Sequence, residues 1–470
     1  GKFRRQRQMC IRDRIFASIF GNSLLSQSIE NKRFEGYRPI WFELNQKYEY
    51  GDKYSGALGT YTAKHRPLAI YSSETNKTFF VYGGTKDYDQ KHLLCMIGVY
   101  DHSTGEVSRP LVVSDKMGID DPHDNPSLLI DDDGFIWVFV SGRGRKRPGF
   151  KYKSLVPYNI DGFVKLTEEE MTYPQPLNTQ FGLFNFFTKY TGIRHLYFEK
   201  SKSGQTWTDD KLLAAIPVRS GENSGHYQVS AQYKGQKVGT FFNRHPYGEV
   251  DKRTDLYYME SNDFGNTWQT VDQFKLRLPL TDLNSPARVM NYSVTKKNIY
   301  LKDMVYDKKG NPICLYLKSN GHEPGPNSAP YQWQVTLWTG NKWSTHEIVT
   351  SDHNFDMGSL WVNENLWELV VPFGHTPQKW GAGGEIEIWT STDKGKNWTK
   401  EKAITKSSEF NHSYVRKVID GRSPFIFFWA DGNPNEFSKS QLYFGDLDGN
   451  VFRLPYIMKD DFEKPQRISF

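Results

Sequence analysis

Ser261-Asn262-Asp263-Phe264-Gly265-Asn266-Thr267-Trp268 and Ser391-Thr392-Asp393-Lys394-Gly395-Lys396-Asn397-Trp398 share the pattern S-x-D-x-G-x-x-W, and a degenerate copy ends in Ser203-Gly204-Gln205-Thr206-Trp207. In such a stretch the carboxylate accepts from backbone N–H groups of a tight turn, glycine takes the positive φ, and tryptophan packs against a neighbouring unit. Looser turn-then-strand copies recur at Asp131-Asp132-Asp133-Gly134-Phe135, Trp338-Thr339-Gly340-Asn341-Lys342-Trp343 and Asp446-Leu447-Asp448-Gly449-Asn450. Between the turns lie strand-length runs rich in aromatic and β-branched residues, such as Thr78–Tyr82, Phe135–Val140 and Pro424–Trp429. The composition agrees. Aromatic residues make up 15% of the chain against a hydrophobic total of 37%, with 39 Gly and 23 Pro, and mean hydropathy is −0.67. That mixture suits many short, half-solvated strands joined by turns, and no Ala/Leu-rich periodic block announces a long helix. The fold class is all-β.

The repeated turn resembles the Asp-box, or BNR repeat, which caps a β-hairpin in propeller blades. The residues left after a leader would fill about seven or eight blades of ~50–65 residues each. The expectation is therefore a seven-bladed β-propeller, or an eight-bladed one. A stacked β-sandwich would fit the strands but not the spaced repeats. No linker or low-complexity segment divides residues 29–470, which read as one domain. Residues 1–28 read as a leader: Ile15–Leu25 is a short apolar run behind Arg12 and Arg14 and before Ser26-Gln27-Ser28, the shape of a signal peptide. Met9–Arg14 reads as translated sequencing-adapter sequence. The expected location is periplasmic or secreted, with no membrane-spanning segment and a monomeric state. Three cysteines, Cys10, Cys95 and Cys314, are too few for a disulfide framework or a Cys-rich zinc site. A net charge of +6 is compatible with an acidic ligand, but no Lys/Arg run resembles a nucleic-acid arm.

Two polar clusters stand out. In the first, Asp120-Asp121-Pro122-His123-Asp124-Asn125 is followed, one strand later, by Ser141-Gly142-Arg143-Gly144-Arg145-Lys146-Arg147. Histidine beside arginines can grip a carboxylate and move protons near neutral pH, although an Asp-stabilised turn and a solvated basic loop would look the same. In the second, Gly225-His226-Tyr227-Gln228 is followed by Asn243-Arg244-His245 across a strand pair. Further on, Asp352–Ser359 with His353, His375 and Asn411–Arg416 could line a pocket, or hold a structural divalent metal together with Cys314, although the spacing is not a metal signature. No other cofactor is expected. A glycosidase needs two flanking carboxylates, and no acidic pair stands out. His, Tyr and Arg instead suit a polysaccharide lyase, which neutralises a uronate carboxylate, removes the proton beside it and expels the glycosidic oxygen.

From Gly36 onward the chain resembles the BNR-4 repeat family of bacterial carbohydrate-active propellers. The resemblance is carried by Gly36-Tyr37-Arg38-Pro39-Ile40-Trp41-Phe42-Glu43-Leu44-Asn45-Gln46, Tyr50–Gly56, Tyr61-Thr62-Ala63-Lys64-His65, the His123 motif and Gly225–Gln228. Likeness to ulvan lyases within it implies a site in which His123 matches the first histidine. Arg143 stands where a second histidine is usual, and Tyr227 with Arg244 matches a Tyr/Arg pair. Likeness to rhamnosyl-glucuronate α-L-rhamnosidases implies an essential histidine on the opposite propeller face, where Gln46 stands here. The resemblance thus implies a lyase acting at glucuronate linked to L-rhamnose in an acidic polysaccharide. Tyr227 would be base or acid with His123 as partner, Arg143 and Arg244 would hold the carboxylate, and His226, His245, Arg145, Asn125 and His353 would contact substrate. An α-L-rhamnosidase or a non-catalytic glycan-binding propeller is the alternative. A sialidase fits poorly, since no Tyr/Glu nucleophile pair can be placed.

Overall fold

The quoted boxes form the turns their chemistry dictates. Asp263 Oδ1 accepts from Thr267 N at 2.8 Å and from Ser261 Oγ at 2.8 Å, while Ser261 Oγ accepts from Gly265 N at 2.8 Å. Asp393 repeats the arrangement with Asn397 N and Ser391 Oγ, both at 2.9 Å. Gly265 and Gly395 sit at φ +77° and +79°, a region that costs a side-chain-bearing residue about 1 kcal/mol or more. In the degenerate copy Ser201 Oγ accepts from Gly204 N at 2.8 Å. Trp268 then packs into the preceding unit, its ring 5.4 Å from Phe198 and 5.9 Å from Phe186. Trp207 does the same against Trp137 and Phe139.

The chain is described by a computed structural model at residues 29–58, 65–87, 90–191, 193–217, 224–373 and 377–470. The leader, Cys10, Tyr61–Lys64 and His375 lie outside these residues. Among the described residues, seven antiparallel units of four or more strands follow one another. Their first strands are Ala69–Ser72, Pro126–Ile130, Thr172–Thr179, Ser224–Tyr233, Asn298–Tyr306, Ser359–Val362 and Asn411–Arg422. Each first strand touches the first strand of the next unit, and that of unit seven touches that of unit one through a parallel bridge between Ile419 and Ile70. Strands paired outward from a closed inner ring make a β-propeller, with seven such blades among the described residues. The outermost strands show the gradient this requires, since Thr399–Ala403 is exposed throughout while the inner strand Asn411–Arg422 begins with six buried residues.

Later segments fasten the ring. Phe462–Glu463 adds to the outer strand Glu106–Ser108 of blade 1, and Gln466–Ile468 pairs with Val451–Arg453 of blade 7. Between blades 2 and 3, Lys151, fully buried, bridges Glu169 and Glu199. Cys95 and Cys314 are buried thiols in the sheets. Among the described residues no helix is long and apolar enough to cross a membrane.

Candidate functional site

Because every blade runs in the same sense, the starts of the inner strands gather at one mouth of the central channel and the box turns lie at the other end. Near these starts stand Tyr173, Tyr227, Tyr300 and Tyr414. His123 reaches the same mouth from a single 3-10 turn, Pro122–Asp124, just before the inner strand of blade 2. Asp121 caps that turn, accepting from His123 N at 2.9 Å, and Pro122 supplies the preset φ of its first position. The Asp121 carboxylate also meets His123 Nδ1. A carboxylate only accepts, so Nδ1 carries the proton and the basic nitrogen is Nε2. Arg143 Nη1 and Arg147 Nη2 donate to the other Asp121 oxygen at 3.0 and 2.6 Å.

Burial opposes ionisation of Asp121, but His123 and Arg147 outweigh it and hold the carboxyl well below the usual carboxylate range. Burial lowers His123 to about 4 despite Asp121, with Arg143 and Arg194 adding to the effect. His123 is therefore a neutral, oriented imidazole at pH 7.

Its ring stacks on Tyr173, 5.6 Å between centroids, and Tyr173 lies 6.0 Å from Tyr227, which in turn lies 5.2 Å from His245. The Arg194 guanidinium covers this row, 5.3 Å from the Tyr173 ring and 4.7 Å from the Tyr227 ring, and donates to Tyr190. Arg194 is 3% exposed and has no carboxylate partner among the described residues. Arg253 also lies 4.1 Å from the Tyr227 ring centre. Two cations, a neutral imidazole and two phenols thus share a nearly water-free patch, where charge interactions are several-fold stronger than at a surface. Gly225 makes room for part of it, because a Cβ there would stand 2.0 Å from His245 Cε1.

Of the residues expected from sequence, His123, Tyr227 and His245 come together here, with Arg143 joined through Asp121. Arg244 does not. It faces His226 across the strand pair, whereas Tyr227 faces Asn243, and neighbours on a strand point to opposite sides of the sheet. Arg244 instead pairs with buried Asp255 at 2.7 Å, so the expected convergence of Tyr227 and Arg244 is not formed. His226 is bound on both ring nitrogens by backbone, facing Asn243 O and accepting from Ile216 N, each at 3.0 Å. Arg145 is 92% exposed beside Glu170, outside the row. Asn125 is buried under Gly83. His353 accepts from Phe355 N at 3.1 Å beside blade 6.

The opposite-face site expected at Gln46 is corrected. Gln46 is exposed just before the hairpin Lys47–Tyr48/Gly51–Asp52. Lys53, following it, pairs with Asp251 at 2.7 Å, and the Asp251 carbonyl accepts from Tyr300. The hairpin therefore lies over the same mouth as Tyr227. Among the described residues the metal site suggested around Cys314 does not assemble, and His375 lies outside them. His412 is bound by Trp429 Nε1 and meets Ser408 Oγ. Among the described residues the only grouping with ligand spacing is Glu169, Glu199 and Asp210, two of whose carboxylates already hold Lys151. Tyr173, Arg194 and Arg253 were missed. Each stands alone in sequence, and only the fold brings Tyr173 and Arg194 to His123 and Arg253 to Tyr227.

A family model described as "BNR repeat-containing family member" matches residues 88–351. A PL25 ulvan lyase of Pseudoalteromonas sp. (strain PLSV) is 21% identical over 402 residues, 75% of this chain and 79% of its own. An ulvan lyase of Alteromonas sp. (strain LOR) is 22% identical over 430 residues, 82% of this chain and 84% of its own. The solved structure of a PL25 ulvan lyase superimposes with a TM-score of 0.70 at 17% identity, covering 88% of this chain and 96% of that one. The same overlap is found with a PL25 ulvan lyase bound to -[GlcA(1-4)Rha3S]-.

Proposed function

This chain belongs to the BNR repeat-containing family, and from that premise we propose that it is a polysaccharide lyase, cleaving glucuronate–rhamnose polymers of the ulvan kind by β-elimination. The observation that carries the reading is the buried Arg194 guanidinium, with no carboxylate of its own among the described residues, set against two tyrosines and an aspartate-oriented neutral histidine. A uronate carboxylate is the natural counter-ion for such a cation. Neutralising it stabilises negative charge developing at C5 of the sugar. His123 Nε2 takes the C5 proton, the electron pair forms the C4–C5 double bond, the C4–O4 bond breaks, and a hydroxyl of Tyr227 or Tyr173 returns a proton to the leaving oxygen. Asp121 holds the imidazole in the accepting tautomer, and Arg147 helps keep Asp121 ionised. The cluster is nearly fully buried, so a sugar reaches it only by displacing what covers it. A polymeric substrate of this size also supports action outside the cytoplasm.

The test is ultraviolet absorbance of the unsaturated uronate during incubation with ulvan, for wild type, His123→Ala, Tyr227→Phe and Arg194→Met. Absorbance should rise with wild type and fall by about 10²-fold or more in rate for His123→Ala. Release of free rhamnose without absorbance would make the protein a hydrolase, and saturable binding without either product would make it a glycan-binding module.

A further inference from the structure

Inside the central channel, away from the tyrosine mouth, a cavity of about 30 Å³ is lined by Arg66, Lys302, Asp303, Ser359, Arg416 and Lys417. Strand alternation would send Lys302 and Asp303, or Arg416 and Lys417, to opposite faces. Here the register slips between Leu301 and Asp303, and again between Ser413 and Arg416 and between Lys417 and Arg422. At such irregularities both members of each pair can turn inward. The cations are held by neutral partners more than by charge. Lys302 Nζ donates to Asn354 O at 2.6 Å, Lys417 Nζ to Leu360 O at 2.9 Å, and Arg416 to His65 O.

Asp303 is the one carboxylate lining the cavity, and it is already committed, pairing with Arg66 at 2.9 Å and accepting from Leu360 N at 3.0 Å. Asp356 acts on Lys302 without lining the cavity. Glu368 and Asp420 act on Lys417 from outside the cavity. Arg66, Arg416 and Lys417 therefore face the cavity against a single lining carboxylate. Burial lowers Arg416 to about 9 and Lys417 to about 8, as expected where positive charge is crowded and under-compensated. Arg66 and Lys417 also line a larger hollow of about 510 Å³ at the box-turn end, which gives solutes a way in.

We propose that this cavity binds one small inorganic monovalent anion, chloride in ordinary media, which holds the inner strands of blades 5 and 7 to the Arg66 segment. The volume admits one body of about water size. That suits a halide better than a sugar or a bulky organic anion.

The experiment is thermal unfolding of the full chain at fixed ionic strength, with sodium chloride exchanged for sodium gluconate, and a bromide-soaked crystal as the direct readout. Chloride should raise Tm by about 2–4 °C over gluconate as the site saturates. In Lys417→Met, chloride and gluconate should give the same Tm. Bromide should give an anomalous peak between Arg66, Arg416 and Lys417, a result that does not depend on the variant folding. Equal wild-type Tm in the two salts together with no peak in the cavity would overturn the proposal.

Discussion

Lowering the pH from 7 to 5 should destabilise this protein through its buried histidines. His65, His226, His353 and His412 are lowered by burial to about 3, and His123 to about 4. The geometry gives the reason in three of them. His226 accepts from Ile216 N, His353 from Phe355 N and His412 from Trp429 Nε1, so protonation would set one donor against another. A depressed histidine costs nothing above its unfolded value near 6.5. Below that, the unfolded chain takes up protons that the folded one refuses, and stability falls as pH falls toward the folded pKa. At pH 5 each contributes a loss of about 2 kcal/mol, and the five together about 10 kcal/mol. Three buried carboxyls work the other way. Asp124 and Asp431 are raised by burial to about 6 and Glu199 to about 7, and their protonation between pH 7 and 5 returns about 5 kcal/mol. The net loss of about 5 kcal/mol should lower Tm by about 5 °C for a chain of this length. Thermal melts at pH 7, 6 and 5 at constant ionic strength measure it. His412→Gln, which keeps an acceptor for Trp429 but cannot titrate in this range, should recover about 2 kcal/mol of the loss. A Tm that stays flat or rises on going to pH 5 would refute the reasoning.

The activity itself should carry an acid limb in kcat/KM near pH 4 rather than near 6.5, because the neutral form of His123 is the working one; a limb at 6.5 or above would remove His123 from the proton-accepting role. Gly225→Ala should abolish turnover with a much smaller effect on secondary structure, since the new Cβ would drive the His245 ring from Tyr227; circular dichroism alongside the absorbance assay separates the two, and unchanged turnover would mean that this contact is idle. Trp268→Ala should cost about 3–5 kcal/mol by emptying the seam between blades 3 and 4, measured as a lower denaturation midpoint, and a loss below about 1 kcal/mol would show the seam closing over the gap.

What could be read in the sequence was what is local. The serine, aspartate, glycine and tryptophan of each box lie within eight residues, so their hydrogen bonds are fixed before any tertiary contact forms, and the repeat pointed to blades. Conspicuous polar strings singled out His123 and Tyr227, and the structure brings both to one mouth, His123 on the turn before the inner strand of blade 2 and Tyr227 on that of blade 4. Arg244 was misread because its spacing from Tyr227 does not give the hairpin register. Once Tyr227 stands opposite Asn243, the next residue must point away. Arg194 and Arg253 carried no local signal at all, since what marks them is that each meets an aromatic ring of its own blade and one of the next. The face of Gln46 was hidden for a related reason. The segment that carries it crosses the mouth before the first blade begins, and strand order does not reveal such a crossing.

The fastening of blade 1 by Phe462–Glu463, and of blade 7 by Gln466–Ile468 and the Ile419–Ile70 bridge, also sets a timetable. Blades 2 to 6 are hairpin stacks that can form as each is synthesised, but the ring has no closing contact until residues about 350 positions apart meet. Until then the flanks of blades 1 and 7 present open strand edges of the sort that pair with strangers. Clipping the chain ahead of Phe462 would therefore be felt less in the finished fold than in the traffic of newly made chains, more of which would join to one another before they joined to themselves.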